Sequence, residues 1–218
     1  MFKAVAIDLD GVLIDSEDVH IRTTQWGFQE YGYSLTEKEL EYIVGRHPKE
    51  YVPYIVKKNK LNINPEDARL AARELYDKLW DESIQLMPEA KETIDMLKEK
   101  GLTLVLATNS DSKIVEKFIE KFSLQGVFSG LVTGDEVTKR KPDPEIYLKA
   151  KEILGLPGNQ ILVVEDSEIG VLAAKNAGLS CVAVPNKYTK DMDFSKADYV
   201  VESLKGVVEI AFGQIQKF

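Results

Sequence analysis

Two aspartates, Asp8 and Asp10, directly follow the apolar run 4–7 near the start of the chain. Side chains of an extended backbone alternate in direction, so the two carboxylates are expected to project to the same side. Gly11 then permits a sharp exit from the strand. Carboxylates held close together repel each other, and a fold tolerates this where a cation, a shared proton or a reaction uses them. The run therefore favours a chemical site over a strand that ends in a polar turn.

A second group of polar residues, Thr108, Asn109 and Ser110, follows the apolar run 103–107. A helix is predicted to start near Asp111, directly after this group. Short hydrogen-bond donors beside a helix N-terminus suit an anion, which makes all three residues candidate anion ligands. The alternative is ordinary helix capping by Asn109 or Ser110.

A lysine, Lys141, lies in the segment Lys139-Arg140-Lys141-Pro142-Asp143-Pro144. The two prolines predict a rigid turn before a helix over 145–154, so Lys141 is expected to be held in place. A compact ammonium there could neutralise phosphate oxygens and the acidic pair. Lys139 and Arg140 are expected to be structural or exposed.

A second acidic pair, Glu165 and Asp166, ends the apolar run 161–164. If this strand neighbours the first, this pair and the pair Asp8 and Asp10 bring up to four carboxylates into one small volume. Their mutual repulsion would then require a cation. Hard, all-oxygen ligation favours Mg²⁺ over zinc, and the sequence contains no cluster of His and Cys that would favour zinc. The sequence therefore predicts a magnesium site.

The secondary-structure elements that must position these groups follow two different patterns along the chain. Helical periodicity fills most of 17–84, whereas helices alternate with short apolar runs from Met87 onward. This alternation predicts an α/β fold with a mainly parallel sheet, into which an all-helical segment is inserted. We expect a catalytic core over 1–15 and 84–218 and a helical cap over 16–83. A lid beside the carboxyl ends of the strands is the natural role of the insert.

Three helix starts are predicted from single residues. Pro65 is expected to open a helix directly after Asn64, a suitable N-cap, and Pro48 to open one after the loop 45–47. Gly170 is expected to open a helix over 171–177.

Composition bounds the possible partners. The formal net charge of −8 argues against a nucleic-acid surface, because a phosphate backbone demands clustered Lys and Arg. Cys181 is the only cysteine, lies in an apolar run and is expected to be a small buried hydrophobic residue. The chain opens directly into a strand and contains no apolar run of membrane-spanning length, so we expect a cytoplasmic protein that does not bind membranes.

The ordered motifs resemble those of the haloacid dehalogenase superfamily, specifically its phosphatase and β-phosphoglucomutase-like branch. The resemblance is carried, in chain order, by Asp8-x-Asp10-Gly-Val, Thr108-Asn-Ser, Lys141-Pro-x-Pro and Glu165-Asp166-Ser-x-x-Gly170. It covers nearly the whole chain and implies a Rossmann-like core with a helical cap inserted after the first motif.

The resemblance also implies roles for individual residues. Asp8 would be the nucleophile that forms an aspartyl-phosphate, and Asp10 would protonate the leaving group and then activate water. Thr108 and the Asn109 backbone would bind the transferring phosphoryl group. Lys141 would stabilise charge on both Asp8 and the phosphate.

The same resemblance implies a Mg²⁺ cofactor. The ion would be held by the Asp8 carboxylate, the Asp10 carbonyl and Asp166, with Glu165 acting through water or as a partner of the ligands. The implied activity is hydrolysis of small, sugar-phosphate-like monoesters by a monomer or weak homo-oligomer.

Two residues of the insert are candidates for contact with the substrate. Arg46 could grip a distal phosphate or hydroxyl, although an isolated loop arginine is often only exposed, and His20 is a candidate substrate neighbour. Neither residue separates a phosphatase from the main alternative, a β-phosphoglucomutase-like mutase. A more remote alternative is a non-catalytic phospho-aspartate signalling module, which would lack both the insert and the Asp8-x-Asp10 spacing.

Overall fold

A computed structural model describes residues 1–213 as an α/β protein. Six strands form one parallel sheet, as predicted. The strands are β1 (Ala4–Ile7), β4 (Thr103–Ala107), β5 (Gly130–Val132), β6 (Ile161–Glu165), β7 (Ser180–Ala183) and β8 (Tyr199–Val200). Their order across the sheet is β5-β4-β1-β6-β7-β8. Two short strands, β2 (Ile14–Asp15) and β3 (Gln85–Leu86), pair separately where the chain enters and leaves the helical segment.

The described helices alternate with the strands of the large sheet, except for four that are consecutive. Those four are α1 (Glu17–Gln29), α2 (Glu37–Ile43), α3 (Pro48–Lys58) and α4 (Pro65–Ser83). The others are α5 (Ala90–Glu99), α6 (Ser112–Lys121), α7 (Glu145–Leu154), α8 (Glu168–Asn176) and α9 (Leu204–Ala211).

Continuous burial explains why the central strands read as unbroken apolar runs. All four residues of β1 and all five of β6 are buried, as expected for strands covered on both faces. One hydrophobic cluster combines strand residues such as Val105 and Val163 with Ile146 and Tyr147 of α7. Burial of Cys181 in this cluster agrees with its predicted role as a small hydrophobic residue.

The chain separates by internal contacts into two compact units. One consists of Met1–Ile14 and Leu86–Phe218, of which the structure describes residues up to 213, and the other is Asp15–Gln85. The assignment of 1–15 with 84–218 as catalytic core and 16–83 as cap stays a prediction, because compactness alone does not show what either unit does.

The helical unit has its own core and its own polar anchor. Phe28, Tyr51 and Ile55 belong to its hydrophobic cluster. Glu39 is buried and accepts hydrogen bonds from the Thr36 backbone N–H and from the side chain of Asn59, so its charge is satisfied within the unit. None of the described helices is long and apolar enough to cross a membrane.

Two of the predicted helix starts are confirmed and one is wrong. Asn64 and His47 each accept a hydrogen bond at the start of α4 and α3, where Pro65 and Pro48 were predicted to open the helices. In contrast, α8 starts at Glu168 and not after Gly170, because the Ser167 hydroxyl caps the helix earlier by accepting from the Gly170 N–H.

Candidate active site

The register of the sheet brings the polar motifs to one edge. Ile7 lies opposite Leu106 of β4 on one side and Val164 of β6 on the other. The residues that follow these three, Asp8, Ala107 and Glu165, are therefore also neighbours, and all three strands end at the same edge of the sheet. Side chains that follow β1, β4 and β6 share the carboxyl edge of the sheet, where ligands bind in open α/β folds.

Lys141 occupies the centre of this edge. Its Nζ atom lies 2.6 Å from Oδ1 of Asp8 and 2.6 Å from Oε1 of Glu165, and it donates to the Ala107 carbonyl at 2.9 Å. Only 3% of the residue is exposed. These contacts hold Lys141 in place beside Asp8, while its part in catalysis stays a prediction.

Burial dominates the electrostatics of the Asp8–Lys141 pair. Burial raises the pKa of the Asp8 carboxyl to about 8; Lys141 opposes this, while the neighbouring Glu165 and Asp10 carboxylates add to it. Burial alone would lower the pKa of Lys141, but Asp8 and Glu165 raise it above its ordinary value. One ammonium thus pairs with two buried carboxylates, and an ionised Asp8 requires further positive charge nearby.

Glu165 lies fully buried beneath the edge. Its Oε1 accepts from the Tyr147 hydroxyl at 2.5 Å as well as from Lys141, and its Oε2 accepts from the Ser167 hydroxyl at 3.3 Å. A Cβ atom on residue 170 would lie 1.9 Å from the Glu165 carboxyl carbon, so only Gly170 leaves room for this side chain. The arrangement fixes Glu165 and, through it, Lys141.

A group of carboxylates suited to a cation is present among the described residues. Asp8, Glu165 and Asp166 are all buried, and each offers an oxygen within 4.8 Å of the others. Hard oxygen donors of this kind suit Mg²⁺. The residues present therefore fit the predicted divalent cation, although binding of Mg²⁺ and the individual ligands stay predictions.

The Asp10 carboxylate contacts the second motif. Its Oδ2 accepts from the Ser110 hydroxyl at 2.6 Å and from the Thr108 hydroxyl at 3.5 Å. Thr108 Oγ1 also accepts from the Ser110 N–H at 3.0 Å, which fixes the turn. The N-cap position of α6 is occupied by Asp111, so the alternative of capping by Asn109 or Ser110 is wrong.

Asn109 connects the motif Thr108-Asn-Ser to the motif Lys141-Pro-x-Pro by hydrogen bonds. Its Oδ1 accepts from the Lys141 N–H at 2.9 Å, and its carbonyl accepts from Arg140 Nε at 3.2 Å. Arg140 also forms an ion pair with Asp111 at 2.6 Å. Arg140 is therefore structural, one of the two outcomes expected from the sequence, and Lys139 is exposed.

Two residues of the edge have no counterpart in the sequence motifs. Tyr147 lies on α7 and supports Glu165, and Asn186 lies after β7 and donates to Asp166 Oδ2 at 2.8 Å. Tyr147 reads in the sequence as an ordinary apolar helix position, and Asn186 lies in a short polar loop. No signal in their sequence surroundings identifies either residue; Asn186 reaches this edge because β7 lies next to β6 and runs parallel to it.

The two candidate substrate residues of the helical unit have partners within that unit. The His20 ring stacks on Tyr76 with 4.3 Å between ring centroids. The Arg46 guanidinium lies 4.4 Å from the centroid of the Tyr42 ring and donates to the Tyr42 carbonyl at 2.7 Å. Contact of either residue with substrate stays a prediction.

Known proteins resemble this chain over most of its length. Residues 5–184 match the haloacid dehalogenase-like hydrolase family. The chain is 34% identical to a protein named as a putative phosphatase, YhcW of Bacillus subtilis, over 94% of this chain and 93% of the relative. It is 31% identical to the phosphorylated carbohydrates phosphatase of Thermotoga maritima, over 81% and 82% of the two chains.

A solved structure has the same fold. CbbY from Rhodobacter sphaeroides, in complex with phosphate, superposes with a TM-score of 0.83 at 29% identity and covers 94% of this chain and 95% of its own. The matched range 5–184 spans the chain from β1 to the end of β7, and Asn186 lies just beyond it. The chain therefore belongs to the haloacid dehalogenase-like hydrolase family, within its phosphatase branch.

Proposed function

We propose that this protein is a Mg²⁺-dependent phosphatase that hydrolyses small, sugar-phosphate-like monoesters through an aspartyl-phosphate on Asp8. The observation that carries the proposal is the contact of 2.6 Å between Lys141 Nζ and Asp8 Oδ1 inside a buried group of carboxylates. A buried ammonium orients a nucleophilic carboxylate and offsets phosphate charge. The names of the phosphatase relatives support the substrate class.

The metal would be held by Asp8, the Asp10 carbonyl and Asp166, with Glu165 acting through water or as a partner of the ligands. When bound, Mg²⁺ supplies positive charge that keeps Asp8 ionised and offsets the charge of the phosphoryl oxygens. This fits the charge of the site, in which three buried carboxylates face one buried lysine.

In the first half-reaction, an Asp8 carboxylate oxygen forms a bond to phosphorus as the bond from phosphorus to the ester oxygen breaks. Asp10 gives its proton to the departing ester oxygen, so the product leaves as an alcohol. The Ser110 hydroxyl donates to Asp10 Oδ2 and holds the acid in place. Lys141 stays bound to Asp8 and balances the charge on the phosphoryl group.

In the second half-reaction, Asp10 takes a proton from water as the water oxygen forms a bond to phosphorus. The bond between phosphorus and the Asp8 oxygen breaks, which releases inorganic phosphate and restores the Asp8 carboxylate. The Thr108 hydroxyl and the backbone of Asn109 bind the phosphoryl oxygens during both steps. Arg140 holds the Asn109 carbonyl, and the Lys141 N–H holds the Asn109 side chain.

The test is a panel of small phosphate monoesters, including sugar phosphates, with phosphate release measured with Mg²⁺ and with a chelator. We expect turnover that chelation abolishes and Mg²⁺ restores. Intact-mass analysis after rapid quenching should detect a phosphorylated protein that is absent in Asp8→Asn. Asp191→Asn, at an exposed position, is the matched control and should behave as wild type. Normal turnover by Asp8→Asn would exclude Asp8 as the nucleophile.

The same panel separates hydrolysis from mutase activity. β-Glucose 1-phosphate should release inorganic phosphate faster than it isomerises to another hexose phosphate if the protein is a phosphatase. Faster isomerisation would overturn the phosphatase proposal in favour of the mutase alternative. Stable phosphorylation without turnover would favour a signalling role.

A further inference from the structure

Asn186 contacts two parts of the acidic edge that are distant in sequence. Its Nδ2 atom lies 2.8 Å from Oδ2 of Asp166 and 3.2 Å from the Gly11 carbonyl. We propose that Asn186 is a positioning residue that sets the orientation of the Asp166 carboxylate for a divalent cation and fixes it relative to the first motif. The inference rests on the proposed function because it presumes a cation at the acidic edge.

The orientation of the Asn186 amide is determined by its own loop. The side-chain Oδ1 accepts from the Tyr188 N–H at 2.9 Å, so the opposite atom of the amide group must be the one that faces Asp166. An amide N–H is a suitable donor to a carboxylate, whereas an oxygen in that place would repel it. Asn186 thus presents donors, and only donors, to Asp166 and Gly11.

The loop itself is anchored. The Thr189 hydroxyl accepts from the Asn186 N–H at 3.0 Å, and the Asn186 carbonyl accepts from the N–H groups of Thr189 and Lys190. Thr189 is 1% exposed, so this closed turn is fixed in the body of the protein. A side chain held by such a turn can fix a neighbour with little loss of conformational entropy at the moment of binding.

Gly11 has a second function beyond its backbone conformation. Its φ of +76° favours glycine, but a Cβ atom there would also lie 2.1 Å from Asp166 Oδ2 and 2.8 Å from Asn186 Nδ2. The absence of a side chain at residue 11 therefore makes space for the Asp166–Asn186 pair. The first motif, the fourth motif and the loop after β7 form one packed unit at this point.

Groups that orient a metal ligand typically change metal affinity or activity by about 10- to 100-fold when they are removed. Without the Asn186 donor, the Asp166 carboxylate can rotate away from the cation. We expect Asn186→Ala to weaken cation binding by a factor in this range. Turnover at limiting Mg²⁺ should fall, and raising the Mg²⁺ concentration should restore most of it.

The experiment is a calorimetric titration of the full-length wild type and its variants with Mn²⁺, which serves as a directly measurable probe for the Mg²⁺ site. The matched control is Lys190→Gln, at an exposed position of the same loop, which keeps the Asn186 side chain and the backbone contacts that anchor it. The expected result is a Mn²⁺ affinity weakened by at least about tenfold in Asn186→Ala, with a change of less than about threefold in Lys190→Gln.

Two outcomes would overturn the role of Asn186. In one, Asn186→Ala binds Mn²⁺ as tightly as wild type; in the other, both variants are weakened equally, which would indicate general support of the loop. A third variant, Asp166→Asn, tests the premise separately. If the wild type does not bind Mn²⁺, or Asp166→Asn binds it with unchanged affinity, the proposed metal site is wrong and the inference is overturned with it.

Discussion

The Tyr147 hydroxyl donates a hydrogen bond of 2.5 Å to Glu165 Oε1, the oxygen that also contacts Lys141. Both side chains are almost fully buried, so the charge of Glu165 depends on these donors in place of water. The Lys141 ammonium also lies 4.9 Å from the centroid of the Tyr147 ring. Tyr147 thus connects α7 to the charged centre of the site.

Replacement of this tyrosine should destabilise the protein. In Tyr147→Phe the ring is kept and one donor to a buried carboxylate is lost, which we expect to lower the free energy of unfolding by about 2 kcal/mol. Urea denaturation measures this change. Tyr54→Phe, at an exposed position of the helical unit, is the control and should change the free energy by less than about 0.5 kcal/mol. Equal stability of Tyr147→Phe and wild type would show that the bond contributes nothing net.

Arg140 should affect substrate binding through Asn109. Its contacts with the Asn109 carbonyl and Asp111 hold the backbone that is proposed to bind the phosphoryl group. In Arg140→Ala we expect kcat/KM to fall about tenfold, mainly through a higher KM, because a charged hydrogen bond contributes about 1.5–3 kcal/mol.

Two further variants separate positioning from simple loss of charge. Arg140→Lys can still pair with Asp111 but cannot also donate to the Asn109 carbonyl in the same geometry, so its KM should lie between those of Arg140→Ala and wild type. Arg69→Ala breaks an ion pair with Glu66 on α4 and should leave both kinetic constants unchanged. Identical KM values for Arg140→Ala and wild type would contradict the positioning role.

The sheet and the polar motifs at the strand ends were predictable because each strand and the motif that follows it can be recognised from adjacent residues in the sequence. A strand buried on both faces requires a continuous apolar run, and polar groups that directly follow such runs must lie at the edge of the sheet. The position of β1 between β4 and β6 then brings Asp8, Thr108 and Glu165 together. Nothing beyond the strand order was needed for that part of the site.

The supporting residues were not predictable for the opposite reason. Asn186 and Tyr147 act on residues that are 20 and 18 positions away, and their own sequence surroundings contain no sign of those partners. The start of α8 was misplaced because the Ser167 hydroxyl competes with Gly170 as a signal for the helix start, and only the three-dimensional contact decides between them. Long-range hydrogen bonds of single side chains leave no periodic pattern.

Because of Asp135, the free energy of unfolding should vary with pH in the acid range. Burial alone would raise its pKa, but hydrogen bonds from the Thr133 hydroxyl and from the side chain and backbone of Ser112 outweigh burial and lower the pKa to about 2. Because the pKa in the unfolded chain is about 4, the stabilisation is complete above about pH 4 and is lost as the pH falls towards about 2.

The measurement is urea denaturation of wild type and Asp135→Asn at several pH values between about 6 and about 2.5. Asp135 is largely exposed, so solvent screening reduces the expected difference to about 1 kcal/mol at about pH 6. The difference should shrink as the pH falls below about 4. Asp191→Asn removes a carboxylate from another exposed position and is the control. A difference between wild type and Asp135→Asn that grows with acid would contradict the assignment.

Lys141 should be required for turnover. Its removal should also destabilise the protein, because Asp8 and Glu165 are buried close together and share this cation. In Lys141→Met, Asp8 and Glu165 lose their shared cation, so we expect turnover to fall at least about 100-fold and the free energy of unfolding to fall by about 3 kcal/mol. Lys139→Met, whose side chain is 73% exposed, is the control for loss of a lysine in the same turn and should retain activity.

A double variant separates folding from catalysis. Adding Asp8→Asn to Lys141→Met removes one of the two uncompensated carboxylates, so the free energy of unfolding should recover in part while turnover stays absent. Urea denaturation and phosphate release measure the two quantities on the same samples. If the double variant were less stable than Lys141→Met, the charge of Asp8 would not be what Lys141 balances, because an asparagine at residue 8 is neutral and avoids both the repulsion of an ionised Asp8 and the cost of protonating it.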